Sequence, residues 1–86
     1  MSFIQELADA LARDVLAAQD ELGDDRYYEQ MAQVLLAASP TLQEAFMTSV
    51  RIRLAERRGR DFLNRTLKAR REGGSAPKPP RDAGTA

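Results

Sequence analysis

Cysteine and histidine do not occur in this 86-residue chain. Without cysteine there is no disulfide. Without either residue the usual zinc, haem, iron–sulfur and Cys/His nucleophile sites are excluded. A histidine general base is absent as well. No nucleophile–base pair and no phosphate-cradling glycine loop is visible, so the sequence reads as non-catalytic, with no cofactor and no metal. Long apolar runs are also missing. The longest is VLLAA, from Val34 to Ala38, far short of the roughly 20 residues that span a bilayer. The opening MSFIQELADA has no basic segment ahead of an apolar one, so no signal peptide is visible. A soluble cytoplasmic protein without a membrane span is the expectation.

What is present is charge, unevenly spread. Thirteen bases balance thirteen acids, yet residues 1–50 hold nine acids against Arg13 and Arg26, a net of −7. Residues 51–72 hold nine bases against Glu56, Asp61 and Glu72, a net of +6. Polarity of this kind implies either a polyanionic partner or mutual neutralisation of the two halves. Length sets a further bound. The last fourteen residues, GGSAPKPPRDAGTA, carry no apolar side chain larger than alanine, which leaves about 72 residues to build a core. A domain so small is only marginally able to stand alone, so self-association or a protein partner is expected.

Periodicity makes the fold all-α, a small bundle of three to four helices with a disordered C-terminal tail. Ser2 with Gln5 three residues on forms the pattern of a capping box. Ile4, Leu7, Leu11, Val15, Ala18 and Leu22 then recur at helical spacing, widened by Ala8, with Asp9, Arg13 and Asp20 facing away. Gly23 stops this first helix, predicted over 3–22, by taking the left-handed conformation at low cost. Asp24 or Asp25 caps a second helix over 26–38, with Tyr27, Met31, Val34, Leu35 and Ala38 on its apolar side. Ser39-Pro40 ends that helix and begins the next, since the residue before proline is pushed out of the helical region while proline suits the first helical position.

The third helix, over 40–58, is marked by Leu42, Phe46, Val50 and Leu54, flanked by Ala45 and Met47. Past Gly59 the apolar residues are Phe62, Leu63 and Leu67, which a straight helix would turn to the opposite side at about 100° per residue. Either the chain breaks near Gly59, with Asp61 capping a fourth helix over 61–71, or one long helix changes partners midway. The cost of an interior glycine, about 1 kcal/mol relative to alanine, favours the break. Residues 1–72 thus form one helical domain, and 73–86 a disordered Gly/Pro-rich tail. No repeat and no period-two alternation appears.

The candidate sites lie in RIRLAERRGRDFLNRTLKARR, from Arg51 to Arg71, which holds nine of the thirteen bases. The apolar residues Phe62, Leu63 and Leu67 offer a contact for a protein partner or a second copy, with the flanking arginines setting its orientation. This interaction or adaptor role is the preferred reading. The alternative is a nucleic-acid-binding accessory protein that uses Arg57, Arg58, Arg60, Arg65, Lys68 and Arg71 to contact phosphates. Only Phe62 is aromatic there, which gives little for base stacking. A solvated basic face, partly neutralised by the acidic first helix, explains the same residues more simply.

Weaker motifs reduce to structure. A helix-turn-helix at the Ser39-Pro40 corner would present Thr41, Gln43, Glu44 and Thr48 behind an acidic start, a poor match to DNA. The acids Asp20, Glu21, Asp24, Asp25 and Glu29 do not follow the spacing of a calcium loop. Of Tyr27 and Tyr28, one packs inward and the other sits at an edge. PKPPR, from Pro77 to Arg81, reads as a spacer rather than a proline-rich ligand. Capping box, Ser-Pro corner and Arg-rich end are general helix devices and point to no particular family.

Overall fold

A computed structural model of the chain describes residues 2–80. They form three helices, α1 (Phe3–Leu22), α2 (Tyr27–Ala38) and α3 (Pro40–Arg71), and no strand. The all-α expectation holds. Residues group into two compact units, Met1–Leu54 and Ala55–Ala86.

The first unit contains α1, α2 and α3 as far as Leu54. Its start is the capping box read from the sequence: the Ser2 hydroxyl accepts from the Gln5 amide at 3.1 Å, and the Gln5 side chain accepts from the Ser2 amide at 3.4 Å. Gly23 closes α1 at φ 68°, and the Asp24 amide reaches back to the Gln19 carbonyl at 3.2 Å. That is the six-to-one bond of a Schellman end, which only glycine adopts without strain. At the α2–α3 corner Ser39 is extended, its amide donates to the Leu35 carbonyl, and its hydroxyl accepts from the Leu42 amide at 3.2 Å. A single residue therefore satisfies the end of one helix and the start of the next.

The second helix starts differently from expectation. It begins at Tyr27, with Arg26 at the capping position and no cap from its own side chain. Asp24 takes the Arg26 amide instead, at 3.0 Å, which stabilises the turn before the helix. The free amide of Tyr28 is met from another helix: the Gln19 side-chain oxygen of α1 accepts it at 2.8 Å. Gln19 is the buried polar residue of the core, and this bond is what makes its burial tolerable.

The core comprises Ala8, Ala12, Val15, Leu16, Ala32, Phe46 and Val50, with Leu11, Tyr27, Tyr28, Met31, Leu35, Leu42, Ala45, Met47 and Leu54 half-buried against it. On α3 the expected set is the observed one. On α1 the packed side is rotated from the expected stripe, roughly one residue's turn. Of the expected residues Ala8 and Val15 are buried, joined by Ala12 and Leu16, while Ile4, Leu7 and Leu22 remain exposed. Small side chains at the contact allow helices to approach closely, and Ala8 and Ala12 share the packed side with Val15 and Leu16. Tyr27 and Tyr28 are both half-buried, with neither left at a free edge.

The second unit contains the rest of α3 and the residues after it. Here α3 runs through Gly59 without interruption to Arg71, so the break favoured by sequence and the separate helix over 61–71 are corrected. Asp61 caps nothing and instead pairs with Arg65 at 3.0 Å, and Glu56 pairs with Arg60 at 2.6 Å. Both pairs place the acid four residues ahead of the base, the favourable orientation, each worth about 0.3–0.5 kcal/mol. Together they nearly offset the glycine. Lys68, Arg70 and Arg71 fill the last turn, where cations complement the helix dipole. Gly73 at φ 73° then ends the helix, with the Gly74 amide donating to the Ala69 carbonyl at 2.8 Å. Residues 74–80 have no regular secondary structure; the part of the expected tail over 81–86 lies outside the described residues. Pro77 is half-buried, and Pro80 lines a hollow with Phe62, Arg58 and Arg65.

Candidate functional site

From Ala55 to Arg71 no residue of α3 is buried. This is the physical character of the Arg-rich segment: seventeen residues of helix without a core. The three apolar residues singled out from the sequence do not form one strip. Phe62 is half-buried, beside Pro80 and under the Arg65 guanidinium at 6.0 Å from the ring centroid. Leu63 and Leu67 are exposed, at 47% and 36% of their full surface. At about 100° per residue they share a side of the helix with Arg70, while Phe62 falls with Thr66 and Ala69.

The basic residues divide by what holds them. In the second unit Arg60 is paired with Glu56 and Arg65 with Asp61. Among the described residues no carboxylate pairs with Arg57, Arg58, Lys68, Arg70 or Arg71. Arg57, Lys68 and Arg71 lie on one side of the helix by their spacing. The partial neutralisation expected from the acidic first helix is seen at Arg53, within the first unit. Arg53 donates to Asp9 at 2.6 Å, and the Ser49 hydroxyl donates to the same carboxylate oxygen at 2.9 Å. These bonds, that of Arg53 foremost, hold the Asp9 carboxyl below the ordinary aspartate range.

Asp9 was expected to face away from the rest of the molecule. Instead it sits on the rim of a cleft of about 370 Å³ in the first unit, lined by Gln5, Asp9, Ala45, Thr48, Ser49 and Ile52. Ile52 is 64% exposed there. The sequence held a trace of this cleft: Ala45, Thr48 and Ile52 recur at three- and four-residue spacing on α3, off the Phe46–Val50 side. That signal is weak, because small and polar side chains at helical spacing mark no particular face.

Of the acids Asp20, Glu21, Asp24, Asp25 and Glu29, two are engaged in local structure. Asp24 accepts from the Arg26 amide, and Glu29 accepts from the Arg26 guanidinium at 2.7 and 3.0 Å. The Glu29 contact raises the Arg26 pKa further above its already high value. Among the described residues no three His, Cys, Asp or Glu side chains converge as metal ligands would, and no helix is long and apolar enough to cross a membrane. No family model matches this chain, nor does a curated protein or a solved structure.

Proposed function

We propose that this chain is a non-catalytic interaction or adaptor protein that self-associates through the second half of α3. The observation that carries the reading is the absence of any buried residue from Ala55 to Arg71 combined with the exposure of Leu63 and Leu67. A helical segment that buries none of its residues gains little from packing, the usual source of helical stability in proteins. A second chain supplies that burial. The exposed cations around the two leucines orient the encounter and exclude wrong partners, as rim charges do. Phe62 contributes less than the sequence suggested, since Pro80 and Arg65 already flank it.

Replacing Leu63 by Asp tests this reading. Sedimentation velocity of the variant is expected to show a smaller species than the unaltered chain at equal concentration, with the helix content of the first unit intact. An unchanged species would contradict it. The second reading, a nucleic-acid grip, is favoured by the five cations of the second unit that pair with no acid among the described residues, and uses Arg57, Arg58, Lys68 and Arg71 together with the paired Arg60 and Arg65. Titrating both proteins onto labelled mixed-sequence RNA and DNA separates the two readings. A grip engaging about six phosphates gives a log K against log salt slope of about −4 to −5, and Leu63→Asp would leave it unchanged.

A further inference from the structure

The first unit carries the counterpart of the exposed leucines. Its cleft presents Ala45 and Ile52 as apolar surface and Asp9 on the rim. All three short hydrogen bonds to Asp9 fall on Oδ1, which leaves Oδ2 as an acceptor without a partner among the described residues. On the C-terminal part of α3, Leu63, Leu67 and Arg70 are spaced four and three residues apart and so share one side. Two aliphatics and one cation with no acidic partner among the described residues are exposed there, which is the chemical complement of two apolar residues and one open carboxylate oxygen. The charges of the units agree: through Leu54 the chain has nine acids and four bases, a net of −5, and from Ala55 onward nine bases and four acids, a net of +5. Opposite potentials steer such surfaces together and fix their register.

We propose that this cleft is the docking site for the Leu63–Leu67–Arg70 side of α3 from a second copy of the chain. The leucines cover Ala45 and Ile52, and Arg70 donates to Asp9 Oδ2. The inference rests on the self-association reading and specifies its receptor surface. Because the two patches differ, the contact is heterologous; it either closes reciprocally into a dimer or propagates head to tail.

The test uses the full chain and two variants, Ile52→Asp in the cleft and Leu63→Asp on the helix, followed by sedimentation velocity. Ile52 is exposed, so the substitution leaves the core untouched, which circular dichroism verifies. Each variant alone is expected to self-associate at least tenfold more weakly than the unaltered chain. An equimolar mixture should associate again, since each variant retains the patch that the other has lost. Loss of association in Leu63→Asp but not in Ile52→Asp overturns the cleft as receptor while leaving self-association through α3 in place. Loss in both with no recovery on mixing overturns the cleft–helix pairing. No change in either overturns both.

Discussion

Gln19 shows how one side chain can decide a fold. Its oxygen leaves α1 to accept the Tyr28 amide at 2.8 Å, so the start of α2 is capped from a neighbouring helix. Gln19→Leu keeps the volume but strands a helix-start amide close to the core. The cost is expected at about 1–3 kcal/mol, the penalty for an unmet buried donor, and would appear as a lower urea midpoint. A loss under about 0.5 kcal/mol would mean that water reaches Tyr28 and that the bond matters little. Nothing in the sequence marked Gln19, because its role depends on a partner nine residues away, and single residues reveal only local partners. Ser2, Gln5, Gly23, Ser39 and Pro40 were legible because their partners lie within a turn or two.

At the scale of the element, α3 is the departure from the sequence reading. Gly59 argued for a break on intrinsic propensity, which is a weak prior. The pair Glu56–Arg60, which spans Gly59, and the pair Asp61–Arg65 just after it each restore part of that cost. Gly59 takes ordinary helical geometry, and a Cβ placed there meets nothing within 4 Å. Gly59→Ala is therefore expected to stabilise the helix by about 0.5–1 kcal/mol, raising the thermal midpoint followed by circular dichroism at low protein concentration. A destabilised variant would show a kink at Gly59 that an alanine cannot adopt. Helix α1 illustrates a different limit. Its 3.6-residue rhythm and both ends were readable, and its buried side only in part: Ala8 and Val15 are buried as expected, but Ala12 and Leu16 join them in place of Ile4, Leu7 and Leu22. Periodicity gives the existence of a face, and the neighbouring helices choose which one is used. The same geometry separates Phe62 from Leu63 and Leu67, which adjacency in sequence had joined.

At the scale of the molecule, the chain divides into an acidic unit with a core and a basic unit whose described residues form none. The charge division was legible from composition. The absence of burial in the basic unit was not, since Phe62, Leu63 and Leu67 at helical spacing could equally have been core. If a second chain covers this helix, its backbone protection depends on assembly, whereas the core of the first unit protects itself. Hydrogen exchange resolved by residue, at two protein concentrations a hundredfold apart, tests this most directly. The account predicts slow exchange for the amides of residues 60–71 at high concentration and rapid exchange on dilution, while the amides of Phe46 and Val50 remain protected at both. Exchange of residues 60–71 that is independent of concentration would contradict it.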